Sequence, residues 1–85
     1  MGMVLTMSIA GTDIATLSGQ QYEAFTSELR VRVHEVYPQS QLLILREGDE
    51  TRCIADGFHQ NEHVSVVVNE LLQDVLLHGY WRKPG

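Results

Sequence analysis

Apolar and polar positions change rhythm along this chain, and each change marks a different element. Met3, Leu5, Met7 and Ile9 alternate with Val4, Thr6 and Ser8, a period of two that predicts a strand over 3–9. Gly11 to Leu17 keeps no period and reads as a loop. Ser18 and Gln21 then have the spacing of a capping box, in which each side chain satisfies the other's early helical amide. Beyond it Tyr22, Phe25, Leu29, Val33 and Val36 recur every three or four residues, one apolar stripe of a long helix. Glu28 and Arg32 stand four apart on what reads as its solvent side, and Pro38 ends it by forcing Tyr37 out of helical geometry.

Two short β-compatible runs follow, 41–46 and 51–55. Read as a hairpin, they turn at Gly48-Asp49 with Gly48 supplying a positive φ. That register sets Leu42 against Ala55, Leu43 against Ile54, Ile44 against Cys53 and Leu45 against Arg52. One sheet face then carries Leu42, Ile44, Cys53 and Ala55, and the other Leu43, Leu45, Arg52 and Ile54. Asn61 is the expected N-cap of a last helix whose apolar face is Val64, Val67, Val68, Leu71, Leu72 and Val75. Gly79 suits a left-handed C-terminal residue, and 82–85 reads as a mobile basic tail. The order strand, helix, strand, strand, helix gives an α+β class: a two-layer βαββα sandwich, its three-stranded mixed sheet covered by two helices on one face.

Length and charge narrow the function. Eighty-five residues make a single domain, residues 1–85, with room for one core. Eleven acidic against six basic residues give a formal charge of −5. That argues against direct nucleic-acid binding, which draws on Lys and Arg displacing counterions. The first ten residues lack the basic start of a secretory signal, and Val64 to Leu77 is too often broken by polar residues to be a membrane span. A cytoplasmic protein with no membrane attachment is the expectation.

Candidate chemistry is sparse. Cys53, in mid-strand beside Ile54, has no local cation or helix N-terminus to activate it and reads as a small core hydrophobe. His59 and His63 are four apart, as helical zinc ligands are, but His59 precedes the helix and nothing completes a ligand set. Glu47, Asp49 and Glu50 read as solvated turn carboxylates, and Arg30, Arg32 and His34 as a basic edge diluted by Glu23, Glu28 and Glu35. No catalytic residue, metal or cofactor is expected. Apolar surface beyond the two layers is the feature left over. On the last helix His63, Glu70, Asp74, Leu77 and, if the helix continues, Trp81 fall along one flank, with Val66 and Leu76 farther round. The uncovered sheet face holds Leu43, Leu45, Arg52 and Ile54, a candidate homodimer interface.

One segment, Glu28-Leu29-Arg30-Val31-Arg32-Val33-His34-Glu35-Val36-Tyr37-Pro38, reads as a helix ending in an aromatic residue and proline. Another is Val68-Asn69-Glu70-Leu71-Leu72-Gln73-Asp74, with Trp81 following. Both are similar to segments of the DinI-like family, small bacterial and phage modulators of RecA in the response to DNA damage. The resemblance implies the same sandwich and a regulator that binds RecA filaments through acidic residues of the last helix, here Glu70 and Asp74. The chain departs from that pattern just beyond, where Val75-Leu76-Leu77-His78 and then Arg82-Lys83 replace further acidic residues. Other readings of the same residues are a homodimeric accessory module, a phage- or plasmid-type inhibitor of a host nucleic-acid enzyme, or a His/Cys enzyme.

Overall fold

The structure, a computed structural model, describes residues 2–82 and is an α+β fold: a three-stranded mixed sheet with its long helices on one face. Strand β1 (Met3–Ala10) leads into a short helix α1 (Gly11–Ile14), where a loop was expected. Helix α2 (Gly19–Val36) follows, then strands β2 (Ser40–Gly48) and β3 (Arg52–Asp56), helix α3 (Asn61–His78) and a 3-10 turn at Tyr80–Arg82.

Each period in the sequence becomes a buried face. Leu5, Met7 and Ile9 of β1 point into the helical layer and are fully buried, as are Phe25, Leu29 and Val33 of α2. Val64, Val68, Leu72, Val75 and Leu76 supply the matching face of α3, so Leu76, expected outside, belongs to the core. Val36, expected in the stripe of α2, is exposed at the helix's last position, one turn past the buried Val33. The capping box holds: Ser18 Oγ accepts from the amide of Gln21 at 3.1 Å and Gln21 Oε1 from that of Ser18 at 2.9 Å. Tyr37 leaves helical geometry at φ −129° before Pro38.

The predicted hairpin does not form. β1 is the middle strand, parallel to β2 on one side and antiparallel to β3 on the other, so β2 and β3 never pair. Helix α2 is the crossover that a parallel pair needs. Residues 49–51 then carry the chain across the end of β1, where Thr51 Oγ1 accepts from the amide of Ala10 at 3.0 Å. Gly48 has no positive φ; its missing side chain matters because a Cβ there would lie 1.8 Å from Ser8 Oγ as the chain bends over β1. The face assignment survives, since it depends only on odd and even positions. The buried rows are Leu42–Leu5–Ala55 and Ile44–Met7–Cys53. The outer rows are Leu43–Thr6–Ile54 and Leu45–Ser8–Arg52.

Three local expectations also change. Gln60, not Asn61, is the N-cap of α3, and Asn61 Oδ1 accepts from the amide of Phe58 at 2.8 Å. Gly79 is extended, at φ −66° and ψ 156°, rather than left-handed. Its lack of a Cβ is required by contact, because one would sit 2.5 Å from the Val75 carbonyl oxygen and 2.6 Å from Trp81 Cδ1. The C-terminal segment folds back: Glu28 accepts from the amides of Tyr80 at 3.1 Å and Trp81 at 2.9 Å, so that carboxylate is turned inward and not to solvent. Arg82, placed in the expected mobile tail, lies over the Trp81 ring at 4.6 Å and donates to the Leu76 carbonyl. Residues 83–85 of that tail lie outside the described residues.

Candidate interaction surfaces

The flank expected on α3 is only partly assembled. Glu70 and Leu77 are exposed, and Val66 joins them, because positions 66, 70, 73 and 77 repeat on the face opposite the buried stripe. Val66 and Leu77 are 58% and 56% exposed, large values for apolar side chains on a helix whose other face is closed. Asp74 sits at the α2 side of this face and is held by Arg32 at 3.0 Å. Arg32 also approaches Glu28 at 3.8 Å, which ties the two helices and the C-terminal turn together. Trp81 turns away: its ring packs on Phe25 with centroids 5.4 Å apart, and Nε1 donates to the Val75 carbonyl at 2.6 Å. It completes the core instead of offering a surface.

On the helix-free face of the sheet, Leu43, Leu45 and Ile54 are 44%, 55% and 57% exposed, and Arg52 is exposed beside Glu50 at 3.2 Å. They do not form the continuous patch that a hairpin would have made. With β1 between β2 and β3, Thr6 separates Leu43 from Ile54 and Ser8 separates Leu45 from Arg52. Two strand spacings, about 9.5 Å, lie between the apolar groups. Leu43 and Leu45 are thus left together at one edge of the sheet, on β2.

The two edges differ in chemistry. Outward-facing backbone groups of β3 are taken by α3: Asn69 Oδ1 accepts from the Cys53 amide at 2.8 Å and Nδ2 donates to the Cys53 carbonyl at 3.0 Å. Ser65 Oγ accepts from the Ala55 amide at 3.0 Å, and Asn69 Nδ2 also donates to the Ser65 carbonyl at 2.8 Å. Two polar side chains four apart in an apolar helix therefore close a strand edge as a neighbouring strand would. Sequence reading missed both; the only signal was an Asn inside a helix, where that side chain competes with the backbone and is disfavoured.

At the other edge, α2 leans two basic side chains over β2. Arg30 Nη1 donates to the Leu42 carbonyl at 3.4 Å and His34 Nε2 to the Ser40 carbonyl at 3.2 Å. Arg46 stacks over the Tyr22 ring at 4.2 Å. Burial pushes the Tyr22 phenol up, against the opposing pull of Arg46 and Arg30. A shallow depression of about 470 Å³ opens beside Arg46, between Gly11, Ile14, Ala15 and Leu17.

Cys53 is 2% exposed, and burial pushes its thiol up to about 11, which leaves it protonated and shielded. Among the described residues no group of three or more His, Cys, Asp or Glu side chains is placed to hold a metal ion, and no helix is long and apolar enough to cross a membrane. Comparison with protein-family models, with curated proteins and with solved structures finds no match to this chain.

Proposed function

We propose that this protein is a small non-catalytic regulator that works by binding another protein through the outward face of α3. The observation that carries the reading is the ridge Val66–Glu70–Leu77, two exposed apolar side chains with a carboxylate between them. Val66 and Leu77 stand about three turns apart on one face, as the anchors of an amphipathic helix laid into a partner's groove do, and the charge between them selects a basic rim. The similarity of the α2 and α3 segments to the DinI-like family supports RecA, in its cytoplasmic filament on DNA, as the partner. On this reading the chain contacts the protein of the filament and not the nucleic acid, in keeping with its charge of −5. Asp74 contributes less than Glu70, since Arg32 already neutralises it.

Co-sedimentation with RecA filaments at low salt, where attraction to a basic rim is strongest, tests the proposal. The unmodified chain is expected in the pellet, and Glu70→Lys with Leu77→Ala is expected in the supernatant with an unchanged circular dichroism spectrum. An unmodified chain that stays in the supernatant at low salt removes RecA as the partner. A second reading, a homodimeric accessory module, is favoured by exposed Leu43 and Leu45 side by side on β2.

A further inference from the structure

We infer that a second copy of this chain pairs along β2, antiparallel and edge to edge, joining two three-stranded sheets into one of six strands. The inference rests on the self-association reading only for there being a dimer; how the two copies meet is argued from the sheet itself.

A strand edge is a row of unpaired donors and acceptors that invites another strand, and folded proteins close such edges or use them. This sheet closes one of its two. On β3 the outward amide and carbonyl of Cys53 and the amide of Ala55 are all bonded by Asn69 and Ser65. On β2 the carbonyls of Ser40 and Leu42 point away from β1, as their bonds to His34 and Arg30 require. Alternation along the strand then turns the amide of Leu42 and both backbone groups of Ile44 the same way. Among the described residues no side chain bonds either amide, and α2 shields only the two carbonyls.

The occupant follows from the pattern of β2 itself. Antiparallel pairing joins residues that both face outward, so even positions oppose even ones and the twofold axis can pass through Leu42, Leu43, Ile44 or Leu45. Passing through Ile44, it sets Leu43 beside Leu45 of the partner subunit and Leu45 beside Leu43 of the partner subunit. Four leucines stranded at two edges then become one cluster on the helix-free face, and the two Ile44 side chains meet on the helical side. An axis through Leu43 would leave Leu45 against Gln41, one through Leu45 would leave Leu43 against position 47, and one through Leu42 would leave Leu43 against Gln41, so the Ile44 axis is the one that sets a leucine opposite both Leu43 and Leu45. A one-residue slip would bring inward-facing groups to the junction.

Charge runs the same way. Arg30 and His34 flank the N-terminal half of β2 and Asp49 follows its C-terminal end, while Glu50 is turned to Arg52 on β3. A twofold axis through Ile44 sets position 49 level with position 39 of the partner subunit, so Asp49 lies toward the end that the basic side chains of the other copy flank. Arg46 is turned back over Tyr22 and leaves the junction clear.

Cysteine cross-linking of the full chain tests the geometry. Across a hydrogen-bonded antiparallel pair the two Cα atoms at position 44 would be about 5.5 Å apart, within disulfide reach. Under mild oxidation Ile44→Cys is expected to give a covalent dimer, and Ile54→Cys and the unmodified chain, whose Cys53 is buried, are expected not to. Leu43→Lys in the otherwise unmodified chain is expected to weaken dimerisation at least tenfold in sedimentation equilibrium. If Ile44→Cys does not fold, a mixture of Leu43→Cys and Leu45→Cys chains replaces it and is expected to cross-link between the two. A dimer that cross-links through Ile54→Cys instead overturns the edge-on geometry and leaves self-association standing. An unmodified chain that sediments as a 9.6 kDa monomer up to several hundred micromolar overturns both.

Discussion

Replacing Asn69 with Ala is the sharpest test of how this fold is held. Asn69 carries three hydrogen bonds, two of them to the amide and carbonyl of Cys53, a residue only 2% exposed. Truncation leaves both groups on the covered edge of β3 without a partner. Each buried polar group left unsatisfied costs roughly 1–3 kcal/mol, and at this part-buried edge the lower half of that range applies to each of the two, so a loss of about 2–4 kcal/mol is expected. For 85 residues the whole stability is of the order of 4–13 kcal/mol, so the variant should be folded but close to its limit. The melting temperature should fall by roughly 8–32 °C, since 1 kcal/mol corresponds to about 4–8 °C in a domain of this size. Urea unfolding followed by circular dichroism gives the energy, and hydrogen exchange at the Cys53 amide gives the location. Asn69→Asp should do no better at neutral pH, because its carboxylate would face the Cys53 carbonyl. It should regain stability on acidification, when the protonated acid can donate again; the native state then favours protonation, so stability is greatest at low pH and is lost as pH rises through the raised pKa. Gln73→Ala, on the exposed side of the same helix, is the control and should change stability by less than about 0.5 kcal/mol. An Asn69→Ala variant that loses less than about 1 kcal/mol, with Cys53 still protected, would refute the idea that α3 closes this edge.

Two further outcomes follow from contacts at the C-terminus and at Cys53. Gly79→Ala must displace either the Val75 carbonyl or the Trp81 ring, and the sole tryptophan should report this as a red-shifted emission with a loss of about 1–3 kcal/mol; an unchanged spectrum and stability would mean that the turn is not packed as described. The Cys53 thiol should resist a water-soluble disulfide reagent at pH 8 until the chain is unfolded, and stability should fall as pH rises from about 9 to about 11, because the unfolded thiol ionises first while the buried one holds its proton. The fall should reach up to about 3 kcal/mol and should vanish in Cys53→Ala; fast labelling of the folded chain would contradict the burial.

Elements and faces were legible in the sequence because they depend on period alone. Alternation in β1, the stripe of α2 and the capping box at Ser18 each state a local geometry that tertiary contact did not overrule. Strand order was not legible. Two short apolar runs joined by Gly48-Asp49 satisfy the local rule for a hairpin, but β2 and β3 lie on opposite sides of β1. What decided this was non-local: Thr51 bonds to the end of β1, and Gly48 passes so close to Ser8 that a Cβ there would push the Ser8 hydroxyl aside. Gly79 repeats the lesson, a glycine placed as expected but required by the Trp81 ring and not by a left-handed backbone.

That single change of topology also decides what the surface can be. In a hairpin, Leu43 and Ile54 would touch and make one apolar face suited to face-to-face packing. With β1 between them, the leucines collect on β2 and the isoleucine stands apart on β3, separated by the polar Thr6 and Ser8. The same insertion leaves two strand edges exposed where a β2–β3 hairpin with β1 beside it would also have left two, but it gives each edge a different helix. α3 brings Ser65 and Asn69 to β3, side chains short enough to lock onto the backbone and complete its bonding. α2 brings Arg30 and His34 to β2, where both bond carbonyls and neither bonds the amides of Leu42 and Ile44. A guanidinium has no acceptor to offer, so no adjustment of Arg30 could close that edge as Asn69 closes the other. Among the described residues no side chain bonds the amides of Leu42 and Ile44, and on the proposed edge-to-edge pairing a backbone carbonyl of a second copy would do so, with the leucines of β2 packed beside it.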